Sequence, residues 1–185
     1  KDIISTYKKG TDFSIYMDTD GLIHAGSGLD QVTWMDVRVG DWVATPRHGK
    51  PVEINALWYN ALCTMDMLQA KFGDNDDSYR QLASLVKASF NKRFWNENTG
   101  CLYDVVDEDD DTIRPNQIYA VSLPFTMLDK EREKAIVDTV MDKLYVGCGL
   151  RSLDPDHKDY HPIYIGSLSK RDHAYHQGTA WGFLL

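Results

Sequence analysis

Apolar residues along most of this chain recur at spacings of three and four, the period of an amphipathic helix, and few runs alternate as a strand would. The clearest helix is predicted over Val52–Phe72, where Ile54, Leu57, Ala61, Met65, Leu68 and Phe72 form one stripe. Pro51 suits its first position and Gly73 its stop. A second helix is predicted over residues 78–95, with Leu82, Leu85, Val86, Phe90 and Phe94 inward. A third covers residues 116–127 after Pro115, with Pro124 kinking it or ending it early. A fourth covers residues 130–145, capped by Asp129. A fifth begins near His176 and reaches Leu185, and residues 1–9 read as the end of a sixth. The fold class is therefore all-α. Residues 10–50 lack the helical period and are rich in Gly, Asp and aromatics; residues 13–17 and 102–106 predict short strands in small β-hairpins. Loops this long inside a compact domain are usually functional.

The helix starts are not equivalent. Three carry clusters of polar and basic groups: Arg47-His48-Gly49-Lys50-Pro51-Val52-Glu53-Ile54-Asn55, Arg114-Pro115-Asn116-Gln117, and Arg171-Asp172-His173-Ala174-Tyr175-His176-Gln177. Between them stand plain acidic starts, Asp74-Asn75-Asp76-Asp77 and Asp129-Lys130-Glu131-Arg132. Such alternation fits helical hairpins with inner and outer members. The inner helices would aim free backbone N–H groups and the positive end of the helix dipole at one shared site.

At 185 residues, with 43% hydrophobic and 26% charged residues, the chain suits one ordinary soluble domain. A net charge of −8 with scattered Lys and Arg argues against a nucleic-acid partner. There is no apolar run of membrane-spanning length, so no membrane partner is expected, and residues 1–10 lack the apolar core of a signal peptide. Cys63, Cys101 and Cys148 are too few and too widely spaced for a disulfide framework or a zinc pattern, and read as reduced thiols of a cytoplasmic protein. Five Trp and ten Tyr are the unusual count. Sugar sites pair aromatic rings with polar side chains, because a sugar offers flat C–H faces ringed by hydroxyls; core packing is the alternative use.

Gln31-Val32-Thr33-Trp34-Met35-Asp36 sets a carboxylate two residues after a Trp in the long loop. Glycoside hydrolysis needs a carboxylic acid to protonate the leaving oxygen and a second carboxylate to attack or to activate water. An acid held beside an apolar ring keeps its proton near neutral pH, because desolvation disfavours the charged form. Asp36 suits that role, or is a loop or capping aspartate. Glu53, in a first helical turn, is either a site carboxylate or one favoured by the dipole. Arg47, Arg114 and Arg151 either hold sugar hydroxyls or pair with those carboxylates. His24, His48, His173 and His176 have no metal-ligand spacing, so no metal or cofactor is expected. The acidic run 107–111 lacks the Gly and closing Glu of a calcium loop and reads as a solvated turn between short strands.

Together, several strings resemble the amylo-α-1,6-glucosidase domain of bacterial and archaeal glycogen debranching enzymes. They are Asp20-Gly21-Leu22-Ile23, Thr33-Trp34-Met35-Asp36, Thr45-Pro46-Arg47-His48-Gly49-Lys50-Pro51-Val52-Glu53-Ile54-Asn55-Ala56-Leu57-Trp58-Tyr59-Asn60, Arg114-Pro115-Asn116-Gln117, Gly149-Leu150-Arg151-Ser152-Leu153 and Tyr175-His176-Gln177-Gly178-Thr179. The likeness runs through nearly the whole chain in the family's order. It implies part of an (α/α)6 barrel acting on an α-glucan such as glycogen or maltodextrin. Asp36 matches the general acid. Trp34, Arg47, Glu53, Asn55, Trp58, Arg114, Asn116, Gln117, Arg151, His176 and Gln177 fall in strings that line the glucose pocket. The reaction implied is inverting hydrolysis of α-1,6-linked glucosyl stubs, with the two carboxyls roughly 6.5–9.5 Å apart.

Two strings depart from the family pattern at the pocket rim. Val146-Gly147-Cys148 replaces a Thr-Pro-Tyr type of string, and Gly182 follows Trp181 where Pro is common. Three decorated helices are half of what the barrel needs, and the family's base would lie beyond Leu185. The resemblance thus implies a partial domain over residues 1–185, cut at both ends, that holds the acid without its base and tends to self-associate. Two alternatives stand beside it: an inactive carbohydrate-binding fragment, and a glucoamylase- or trehalase-like enzyme of different linkage preference.

Overall fold

The structure, a computed structural model, describes residues 1–73 and 76–184; the predicted helix start at Asp74-Asn75 and the final Leu185 lie outside the described residues. Helix α1 (Asp2–Lys9) is followed by strands β1 (Tyr16–Met17), β2 (Ile23–His24), β3 (Arg38–Val39), β4 (Trp42–Val43) and β5 (Lys50–Pro51). Helices α2 (Val52–Phe72) and α3 (Ser78–Arg93) then form the longest hairpin, packed along each other. Strands β6 (Trp95–Asn96), β7 (Cys101–Leu102) and β8 (Val105–Val106) lead to a 3₁₀ turn (Pro115–Ile118) that runs into α4 (Tyr119–Ser122). Helix α5 (Lys130–Lys143), β9 (Leu150–Arg151), α6 (Leu168–Tyr175), β10 (Ala180–Trp181) and a 3₁₀ turn (Gly182–Leu184) complete the order.

The helix α2 has the predicted bounds. Pro51 stands just before it with φ −69° and ψ 142°, and Gly73 closes it in the left-handed region at φ 78° and ψ 23°. Its buried face differs from the predicted stripe. Val52, Ala56, Tyr59 and Leu62 enter the core, whereas Leu57 and Phe72 are exposed at 43% and 77%. The core face also carries Glu53, Asn55 and Asn60, so hydrophobicity alone points to the wrong side of the helix. In α3, Val86 and Phe90 are buried and Leu85 is exposed; the helix ends at Arg93, with Phe94 buried just beyond it. The Phe90 and Phe94 rings stack at 4.4 Å between centroids. From α5, Ile136, Val140 and Leu144 complete the same core. Asp129 caps α5 as predicted, its carboxylate accepting the Arg132 N–H at 2.8 Å.

The third predicted helix is shortened. Leu123 is extended (ψ 155°), as a residue before proline prefers, so α4 stops ahead of Pro124 rather than continuing to residue 127. The fifth is displaced: a helix ends, not begins, at His176. Ser167 caps α6, its side chain accepting from the Lys170 N–H. At Gly178 (φ +150°) an added Cβ would lie 2.6 Å from the His161 carbonyl oxygen, and the chain leaves the helical path for β10. The polar cluster 171–177 is therefore a decorated helix end, and only two of the three decorated starts remain.

All strands are two residues long and paired antiparallel. β1–β2, β3–β4 and β6–β7 are local hairpins, whereas β5–β8 and β9–β10 join distant segments. Residues 102–106 are split between two pairings, and of residues 13–17 only Tyr16 and Met17 are strand, because Phe13 and Ser14 take positive φ. Among the described residues the helices do not close into a ring. Helix α2 packs on α3, on α4 and on the 3₁₀ turn before α4, while α6 lies against β3. No described helix is long and apolar enough to cross a membrane.

Candidate functional site

The loop before α2 is shaped by close backbone approach. Gly49 has φ +102°, and a Cβ there would sit 2.8 Å from the Val106 carbonyl oxygen. That approach lets Lys50 and Pro51 pair with Val106 and Val105. The Val52 N–H, an orphan donor of the first helical turn, then reaches the Asp104 carbonyl at 3.0 Å.

Asp104 is the centre of what this brings together. Its Oδ2 accepts Arg47 Nε at 2.6 Å and its Oδ1 accepts Asn116 Nδ2 at 2.8 Å. Arg47 also forks onto Glu53, with Nη2 to Oε2 at 2.7 Å and Nη1 on the other oxygen. Arg114 Nη1 donates to the carbonyls of Ser152 and His176 at 3.0 and 2.8 Å, and Nη2 donates to Gln177 Oε1 at 2.8 Å. Its Nε is buried without a hydrogen-bond partner among the described residues, 3.9 Å from Asp104 Oδ2. Two cations and two carboxylates thus share one dry region with balanced charge, which makes their burial tolerable. Burial pushes the Asp104 carboxyl above its ordinary value, against the pull of Arg47 and Arg114. Burial also opposes the Arg47 charge, but Asp104 and Glu53 outweigh it and raise that pKa. Arg114 has its pKa lowered, chiefly by burial and further by the Arg47 charge, against the pull of Asp104.

The Trp34 indole N–H donates to Asn116 Oδ1 at 2.7 Å. Its ring meets His176, Trp181 and Phe183 edge to face at centroid distances of 5.2, 5.8 and 5.2 Å. Trp181 in turn packs on Tyr175 at 4.9 Å. The buried His176 ring has an unpartnered Nδ1, and burial, aided by Arg114 and Arg47, lowers its pKa to about 4. A polar cleft of about 260 Å³ opens beside the two arginines; Arg47, Arg114 and Gln177 line it together with Asp110, His157 and Asp159.

The predicted site residues divide accordingly. Trp34, Arg47, Glu53, Arg114, Asn116, His176 and Gln177 meet in one network. Asn55 and Trp58 are buried, but their side chains bond to the backbone of Ile23, Pro51 and Gly21 and so fasten α2 to β2 and the turn before it. Gln117 is likewise spent on the Leu102 N–H and the Arg114 carbonyl. Arg151 is half-buried in β9, and among the described residues its side chain has no hydrogen bond or ion pair. Asp36 is exposed and among the described residues makes neither. Its neighbour Met35 is fixed: the carbonyl accepts from Thr45 Oγ1 at 3.0 Å and the sulfur lies near Arg114 and Asn116.

Sequence reasoning passed over Asp104, whose one signal is a carboxylate inside the apolar run Leu102-Tyr103-Asp104-Val105-Val106. It also passed over Ser152, whose Oγ accepts the Gly178 N–H at 2.9 Å, and over buried Lys50, whose Nζ meets Asp18, Asp20 and Asp107 at 2.8, 2.9 and 3.5 Å. Asp107 also pairs with Arg93, so the acidic turn is tied down at its first residue. No group of three His, Cys, Asp or Glu side chains among the described residues is placed to hold a metal ion.

A glycogen debranching enzyme of Saccharomyces cerevisiae is 28% identical over 225 residues, an alignment that covers 95% of this chain and 14% of that protein. The chain thus spans about a seventh of its relative's length. The sequence profile of the amylo-alpha-1,6-glucosidase family matches residues 1–185 in full. On that match, the chain belongs to the amylo-alpha-1,6-glucosidase family.

Proposed function

We propose that this chain is the acid-bearing part of a glucosidase domain that removes α-1,6-linked glucosyl stubs from an α-glucan such as glycogen or a branched maltodextrin. The observation that carries the reading is the convergence of Trp34, Arg47, Glu53, Arg114, Asn116, His176 and Gln177, from three distant stretches, with Arg47, Arg114 and Gln177 also lining a polar cleft. Family membership supports the same reaction class.

In this mechanism Asp36 protonates the glycosidic oxygen, and its exposed carboxyl, without a partner among the described residues, is free to meet a substrate. The terminal nitrogens of Arg47 and Arg114 already serve Glu53, Ser152, His176 and Gln177. The two arginines therefore act as the frame of the site. Sugar hydroxyls fall to other polar groups of the cleft, among them Asp110, His157, Lys158 and Asp159. A base from the longer protein activates water on the opposite side, which gives inversion. The (α/α)6 barrel is completed by that same longer protein, and the three unpaired thiols suit a cytoplasmic setting.

Asp36→Asn in the full-length protein tests the assignment. Glucose release from α-1,6 stubs is expected to fall by about 10²–10⁴, the range a general acid contributes. Near-normal release would remove Asp36 from the mechanism. Parallel assays on isomaltosyl, maltosyl and trehalose substrates check the linkage; faster cleavage of either of the last two would point to the glucoamylase- or trehalase-like alternative.

A further inference from the structure

A continuous string of polar contacts runs Glu53–Arg47–Asp104–Asn116–Trp34 and ends two residues before Asp36. Every link in it is polarised. An indole nitrogen only donates, so Trp34 requires the oxygen end of the Asn116 amide. The amide nitrogen then needs an acceptor, and Asp104 Oδ1 supplies it at 2.8 Å. Asp104 cannot swing away, because Oδ2 holds Arg47 Nε at 2.6 Å and its own carbonyl caps the first turn of α2. Asn116 and Asp104 are 0% and 2% exposed, so bulk solvent does not reach these groups.

From this polarity we infer that Asp104 is a positioning residue: through Asn116 it sets the orientation of the Trp34 indole, and with it the segment that carries Asp36. It touches no substrate. It selects one of two amide orientations for Asn116, and only that one accepts from Trp34. The inference rests on the glucosidase reading above for its consequence in catalysis, though the Asp104–Asn116–Trp34 link itself does not.

The test uses the full-length protein labelled with 5-fluorotryptophan, with the Trp34 fluorine resonance assigned by its loss in Trp34→Phe. Asp104→Asn is expected to shift or broaden that resonance. The same variant should lower kcat on α-1,6-branched substrate about a hundredfold, the scale of a 1 Å misplacement, while leaving KM within about threefold. The double variant Asp104→Asn with Trp34→Phe is expected to be no slower than the slower single variant, since both cut one string. Should Asp104→Asn not fold, Asp104→Glu keeps the buried charge while displacing the carboxylate from Asn116 Nδ2, and is read the same way. An unmoved Trp34 resonance in a folded variant overturns the inference, as do losses that multiply in the double variant. A wild-type protein that releases no glucose overturns the glucosidase reading instead; the fluorine signal, read without substrate, still decides the Asp104 link.

Discussion

Glu53 in the first turn of α2 takes both terminal nitrogens of Arg47, only six residues before it, with Nη2 to Oε2 at 2.7 Å. The pair bends the loop back over the helix start, and both side chains are almost fully enclosed. Removing Glu53 leaves the buried Arg47 and Arg114 to share Asp104, with one positive charge uncompensated. Glu53→Gln is therefore expected to destabilise the domain by about 3–5 kcal/mol. Denaturant unfolding of the variant beside wild type measures it; a loss below about 1 kcal/mol would mean that the pair is not shielded from water.

His176 makes stability depend on pH. Burial first, and the Arg114 and Arg47 charges second, hold its folded pKa near 4 against 6.5 for the free side chain. The unfolded chain takes up a proton below 6.5 that the native chain refuses. Stability is therefore lost as pH falls from about 6.5 to 4, at up to about 1.4 kcal/mol per pH unit. Urea midpoints at pH 7, 6 and 5 should show that slope, and His176→Gln should flatten it. An unchanged slope in the variant would assign the effect to other groups.

Gly49→Ala should destabilise the protein without removing any charged group. Its φ of +102° disfavours any side chain, and the new Cβ would press on the Val106 carbonyl from 2.8 Å. A cost of about 1–3 kcal/mol is expected. A thermal midpoint equal to wild type would show that the β5–β8 pairing can move aside.

Produced as these 185 residues alone, the chain should self-associate. Ile3, Tyr7, Ile15, Ile54, Leu57 and Ala61 line an apolar groove of about 270 Å³ between α1 and α2, and Met67 and Phe72 are exposed further along α2. Apolar patches of this kind favour association. Light scattering across a concentration series should give a mass that rises with concentration; a constant monomer mass would count against it.

How much of this was legible in sequence differs by element. The bounds of α2 were, because proline and glycine act locally through φ. Its buried face was not, because the core side carries Glu53, Asn55 and Asn60, whose burial depends on partners outside the helix: Arg47, and the more distant Ile23 and Phe125. The end of α6 was misjudged because Gly178 meets His161, a contact between loops that no local period records. In the site, motif strings found seven residues that the structure joins. They missed Asp104, which carries no motif and matters through the three groups that converge on it.

The network around Asp104 also constrains how the domain is made. Its hydrogen bonds join residues 57, 82, 62, 63 and 133 positions apart. Closing such loops is entropically costly until the whole set is in place. During synthesis Arg47 emerges long before Gln177, so for much of elongation its guanidinium has no finished site to enter. The helical hairpin of α2 and α3 can form early from local contacts, whereas the cleft is the last part to order and, under stress, the first to loosen.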